Sequence, residues 1–157
     1  MFSRKIILFI FSTIITLFVW SCGSSAEYTS AKMAIEKENW DEAEEYLFKA
    51  LEVEPDNAEV MVQIGYHVHA KKRQWTEMNK MFNQAIEIDP NAKVLGRPVT
   101  EITNNYRSMF WAENYNKAIR MYNESRRSQD KSTLQSATDM FNETLAIDPG
   151  EAQTYSI

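Results

Sequence analysis

Hydrophobic positions recur in one pattern at three places along the chain, and each place ends in a proline. The three sets are Ala43, Leu47, Ala50, Leu51 and Pro55; Met78, Phe82, Ala85, Ile86 and Pro90; and Ala137, Phe141, Thr144, Leu145 and Pro149. Steps of four, three and one place the first four residues of a set on one face of an α-helix. The proline ends that helix because it lacks an N–H and restricts the preceding residue.

The segments before the first two sets have helical spacing as well. Met61, Ile64, Gly65 and Val68 form an apolar stripe in which Gly65 permits close approach of a neighbouring helix. A thinner stripe precedes the first set and consists of Tyr28, Ala31, Ala34 and Ile35. The pattern therefore predicts helices in consecutive pairs and an all-α fold.

The third unit is longer than the second. Pro55 and Pro90 are 35 residues apart, whereas Pro90 and Pro149 are 59 apart. The apolar stripe predicts one long first helix from about Val99 to Arg127, a turn at "SQDK", and a second helix from about Thr133 to Ile147. An alternative breaks the long helix near Asn114 and makes "NYNKAIRMY" a separate helix.

The first 21 residues differ from the rest. Arg4 and Lys5 precede the uncharged run Ile6–Trp20, which ends at small residues and at Cys22, the only cysteine in the chain. This layout is typical of a secretory signal. The apolar run of 15 residues is shorter than the roughly 20 of a usual spanning helix. An uncleaved membrane anchor is the alternative.

The sequence "VWSC" resembles the lipobox of bacterial lipoproteins, with matches at Val19, Ser21 and Cys22 and a bulky departure at Trp20. The resemblance implies that residues 1–21 are removed and that Cys22 is acylated and anchors the protein in a membrane. Residues 22–25 would then be a short linker that holds the first helix close to the bilayer. Gly23 is compatible with an outer membrane facing the periplasm.

The repeated helices resemble those of the tetratricopeptide repeat, in which small, large and small residues precede a terminal proline. The resemblance implies a solenoid of helical hairpins over residues 26–157, with about three repeats at 26–57, 58–92 and 93–149. Residues 150–157 read like the opening of a further repeat, and we expect a truncated chain. Proteins of this family hold peptides or protein partners in a groove lined mainly by first helices.

Six residues are predicted to line such a groove. They are Val62, Tyr66, His69, Asn105, Tyr106 and Met109, and Trp111 extends the row. Val62, Tyr66 and His69 follow helical spacing on the face opposite the packing stripe. Tyr66 has an alternative role, which is to pack against the next repeat.

The sequence offers little for catalysis or for metals. His67 and His69 are two residues apart on a predicted helix, so they point about 200° apart and cannot share a metal ion. There is no G-x-S-x-G, G-x-G-x-x-G or phosphate-binding loop. Beyond the leader 15 basic residues face 22 acidic ones, which excludes an electrostatic footprint for nucleic acid.

The sequence thus predicts a lipid-anchored, non-catalytic adaptor that needs no cofactor and binds a protein or peptide partner in the bacterial cell envelope. Two alternatives stay open. The chain could be the non-catalytic N-terminal part of a longer envelope protein or enzyme, or a carrier of peptides or small ligands.

Overall fold

The computed structural model of the protein describes residues 24–151, which are mostly helical. The helices are α1 Ala26–Glu36, α2 Trp40–Val53, α3 Ala58–Ile64, α4 Trp75–Ile88, α5 Val99–Ser128 and α6 Lys131–Ile147, and α3 continues directly into a π-helical segment, Gly65–Ala70. The all-α class is confirmed. The leader, Cys22 and residues 152–157 lie outside the described residues. Within 24–151, no helix has the length and apolar character needed to cross a membrane.

Short polar side chains fix where several helices begin. The Ser25 hydroxyl accepts a hydrogen bond from the Tyr28 backbone N–H at 3.1 Å. The side-chain Oδ1 of Asn57 accepts one from the Glu59 backbone N–H at 3.0 Å. Asp130 does the same for Ser132 at the start of α6. These contacts satisfy backbone donors that the first helical turn leaves without partners.

Consecutive helices form close pairs: α1 with α2, α3 and the π segment with α4, and α5 with α6. Each pair is joined by two to four residues, so its members run antiparallel. Each of these connections contains a non-glycine residue in the left-handed region: Glu38, Arg73 and Gln129, with φ of 55°, 56° and 57°. The same local geometry therefore turns the chain at all three pairs.

Helix α3 and the π segment have apolar contacts on two sides. Val60, Ile64 and Val68 pack with Leu47 of α2 and with α1 residues. Met61, Val62 and Ala70 belong to a second apolar cluster, which includes α4, the start of α5 and the end of α6. This central helix therefore joins the first pair to the remainder of the fold.

The predicted single helix in the third unit is confirmed by α5, and the alternative break near Asn114 is wrong. The structure also adds two features that the hydrophobic pattern does not predict. One is a short antiparallel ribbon in which β1, Lys93–Val94, pairs with β2, Arg97–Pro98. The other is the π-helical geometry of Gly65–Ala70.

Gly65 and Phe82 make a close contact between the two helices of the second pair. A Cβ atom on Gly65 would lie 2.5 Å from Phe82 Cε1 and 2.8 Å from its Cδ1. The Phe82 ring is fully buried at 0% exposure, so it cannot swing into solvent. The absence of a side chain at position 65 sets the distance between α4 and the central helix.

We expect Gly65→Ala to lower the free energy of unfolding. Overpacking costs about 1–3 kcal/mol, and the higher helix propensity of alanine offsets about 1 kcal/mol of it. Urea unfolding of the chain from residue 23 onward, followed by circular dichroism, measures the difference. Gly150→Ala is the matched control, because a Cβ there meets only Asp148 Oδ1 at an ordinary 3.5 Å. Equal effects of the two substitutions would contradict the packing argument.

Candidate functional site

A row of aromatic rings crosses from the π segment to α5. The rings of Tyr66 and Tyr106 stack with centroids 4.2 Å apart, and Tyr66 also contacts Phe110 at 5.7 Å. All three side chains are half-buried. One edge of the row therefore packs against the core while the other faces solvent, which suits rings that can accept a further apolar or aromatic group.

The same row continues toward the first helix pair. His67 stacks on Trp40 of α2, with ring centroids 5.6 Å apart, and meets Tyr66 edge-on at 4.8 Å. The Lys71 ammonium group lies over the Trp40 ring, a favourable contact between a cation and the π face. We call Trp40, His67, Tyr66, Tyr106 and Phe110 together the aromatic face.

His67 is neutral in this setting. Its Nδ1 is buried and has no hydrogen-bond partner among the described residues. Burial, and secondarily the positive charge of Lys71, lower the pKa of His67 from 6.5 to about 4. A neutral imidazole stacks on Trp40 without the cost of placing a second charge beside Lys71.

The six predicted groove residues separate into different environments. Val62 is 1% exposed and packs in the second apolar cluster, so its assignment to an exposed strip is wrong. Tyr66 and Tyr106 lie together in the aromatic face, and Tyr66 also fulfils its alternative role of packing against the following unit. His69 instead faces α2, where it meets Phe48 edge-on at 6.3 Å.

Asn105 and Met109 are exposed and lie one turn apart on α5. They immediately precede Tyr106 and Phe110 in sequence, so their side chains point about 100° away from those rings around the helix and lie to one side of the aromatic face. Trp111 is half-buried and stacks on Tyr115 at 4.6 Å, away from Tyr66.

The prediction from sequence missed Trp40, His67 and Phe110 as members of the aromatic face. A usable signal was present, because Tyr106 and Phe110 are four residues apart and follow one helical stripe. No comparable spacing links Trp40 to His67, since they meet only through the packing of α2 against the π segment.

Polar bonds fix α5 and therefore the position of Tyr106. The Arg107 guanidinium donates to Asn79 Oδ1 at 2.6 Å and to Asn83 Oδ1 at 2.8 Å, both on α4. Burial lowers the pKa of Arg107. The Asn79 amide donates in turn to the carbonyl oxygens of Ala146 and Ile147 at the end of α6. One partly buried network thus ties three helices together.

A second network lies at the other end of α4. The Arg73 guanidinium donates to Asn114 Oδ1 at 2.6 Å and pairs with the Glu143 carboxylate. Glu143 also accepts a hydrogen bond from Trp75 Nε1 at 2.9 Å. Because these contacts reach from the turn before α4 to both α5 and α6, they hold the third pair against the second.

The aromatic face presents groups that are suited to binding a partner. Across residues 24–151, no group of three or more histidine, cysteine or acidic side chains lies close enough to hold a metal ion. The aromatic face offers ring surfaces, the exposed thioether of Met109 and the amide of Asn105. Such groups recognise apolar and aromatic side chains of a partner.

Comparisons with protein-family models and with curated proteins found no match.

Acidification should lower the free energy of unfolding because His67 becomes protonated in the unfolded chain. Because its pKa falls from 6.5 to about 4 on folding, the unfolded chain binds more protons between these values. The free energy that the neutral, buried His67 contributes to folding is therefore fully present above pH 6.5 and is lost as the pH falls toward 4. We expect the free energy of unfolding of His67→Phe to fall less than that of the wild type between pH 7 and 5. Parallel pH profiles from urea unfolding would show that His67 is not the group responsible.

Proposed function

We propose that the protein is a lipid-anchored adaptor of the bacterial cell envelope, built as a tetratricopeptide-like solenoid, that binds a protein or peptide partner. Its helical pairs support this proposal, because the second helix of each pair has a large residue between two positions that are small except at Met78 and Thr144, and a proline follows. The shared packing of α3 between two apolar clusters is what stacked repeats require. The adaptor carries out no catalysis in this proposal.

The aromatic face is the proposed partner site, and the contact of Tyr66 with Tyr106 is the observation that carries it. Two large half-exposed rings on neighbouring first helices provide contact area at little cost in side-chain entropy. Asn105 and Met109 supply exposed polar and apolar groups beside them. A partner helix or extended peptide with an aromatic or aliphatic anchor fits this combination.

The proposed anchor is the acylated Cys22. Only Gly23, Ser24 and Ser25 separate this cysteine from α1, which begins at Ala26. The four residue steps from Cys22 to Ala26 span about 13 Å when fully extended. The first helix pair would therefore stay near the bilayer. An outer membrane, with the adaptor on its periplasmic side, is the proposed location.

Cys22→Ser should abolish acylation and leave the leader in place. A serine cannot form the thioether bond to diacylglycerol, so processing before residue 22 should also fail. Intact mass of the wild type should show loss of residues 1–21 and a gain of acyl chains, whereas the variant should keep the leader. Ser24→Ala, two positions away, is the control. Retention of residues 1–21 in the wild type would establish an uncleaved anchor instead.

Photo-crosslinking in cells can test the partner site. A photoreactive residue at Met109, which is 44% exposed, should trap one protein band whose yield falls when Asn105 is replaced by Arg. The same residue at Leu95, 67% exposed on the ribbon turn, is the matched control and should not trap that band. Equal trapping at both positions would contradict an adaptor site on the aromatic face. Saturable binding of a short peptide with no protein band would assign a carrier.

A further inference from the structure

We propose that the α5–α6 hairpin pairs with the hairpin of a second copy of this chain, in an antiparallel arrangement about a two-fold axis. The contact surface is an open groove of about 380 Å³ along the hairpin, the hairpin groove. It is lined by Tyr122, Leu134, Ala137, Thr138, Phe141, Asn142 and Leu145. All of these residues except Tyr122 lie on α6, and Tyr122 lies in the second half of α5. The surface is separate from the aromatic face, so the inference does not rest on the proposed adaptor site.

The hairpin groove leaves substantial apolar surface open. Leu134 is 44% exposed, and Tyr122, Phe141 and Leu145 are half-buried. Leu134 and Leu145 are eleven residues apart on α6, a distance of about 16 Å at a rise of 1.5 Å per residue. The groove is therefore long enough to receive about three turns of another helix.

Charge is distributed unevenly along the hairpin. Residues 117–134, around the turn, contain five basic and two acidic residues, a net charge of +3. Residues 135–151, toward the open end, contain four acidic residues and no basic one, a net charge of −4. Arg73 pairs with Glu143, and the Arg107 guanidinium is close enough to Asp148 to interact with its charge, so part of this negative charge is offset within the chain.

Three basic residues around the turn of the hairpin lie outside its ion pairs. Among the described residues, no ion pair involves Arg126, Arg127 or Lys131. The nearby Asp130 carboxylate is held by hydrogen bonds from Thr133 and Ser132, which lower its pKa to about 2. The Arg126 guanidinium lies over the Tyr122 ring, at the edge of the hairpin groove.

These charges decide the orientation of the second copy. A parallel pairing would place two positive turns side by side and two negative ends side by side, which is unfavourable. An antiparallel pairing centred between Asp139 and Met140 places Leu134 opposite Leu145 and Lys131 opposite Asp148. The apolar and charged residues are then matched at the same time. A two-fold contact of this kind also closes on itself and gives a dimer rather than a filament.

Thiol crosslinking of the full chain tests the pairing. In a Cys22→Ser background, Thr138→Cys is the only thiol and lies near the proposed axis. A short bis-maleimide applied to detergent extracts should give a covalent dimer. Glu45→Cys, an exposed position on α2, is the matched control and should give none. Equal yields from the two thiols would overturn the proposal.

Two further substitutions test the surface itself. Leu134→Glu, at an exposed position, should lower the dimer yield of Thr138→Cys at least about fivefold, because it places a charge in the apolar contact. Its helix content by circular dichroism should match that of the parent. An undiminished yield would assign the groove to another occupant, such as an acidic helix of a different protein, and would overturn the second copy.

A charge exchange tests the orientation. Lys131→Asp should lower the crosslinking yield about fivefold because it faces Asp148 of the second copy, and adding Asp148→Lys should restore it. Both substitutions suit the helix dipole at their end of α6, so the fold should tolerate them. A yield that stays low in the double variant would overturn the antiparallel arrangement.

Discussion

The contact between Gly65 and the buried ring of Phe82 is the constraint on which the described fold depends. It brings α4 against the central helix closely enough for Met78 and Ala85 to be fully buried in the same cluster. The other side of the central helix packs on α1 and α2. A single missing side chain therefore sets the spacing of two helix pairs, and through α4 it sets where α5 and α6 can dock.

The π-helical segment begins at that same glycine. A π turn closes over one more residue than an α turn, and Gly65 and Phe82 meet where this wider turn begins. The wider turn also changes the direction of the side chains that follow, which brings Tyr66 to α5 and directs His69 toward α2.

This geometry explains which helices and which site residues could be predicted from the sequence. The small–large–small pattern predicted the paired helices, because burial of one face is a local property with a helical period. The row Val62, Tyr66, His69 was predicted from helical spacing alone, but Val62, in the regular α3, is buried in the second apolar cluster, and His69, in the π segment, faces α2. The β1–β2 ribbon was also missed, since its turn relies on Leu95 and Gly96 with positive φ rather than on a hydrophobic pattern. Trp40 and His67 meet only through tertiary packing, so no spacing in the sequence predicts their contact.

Helix α5 connects the two surfaces proposed for this protein. Tyr106 belongs to the aromatic face and Tyr122 to the hairpin groove, and their 16-residue separation corresponds to about 24 Å along one helix. No glycine or proline interrupts α5, so the two surfaces are held at a fixed distance and orientation. Arg107 bonds to α4, and Arg73, in the turn before α4, bonds to Asn114, so both of these polar connections lie between the start and the middle of α5. A partner on the aromatic face and a second copy on the hairpin would therefore occupy separate parts of one rigid element, and neither would need to displace the other.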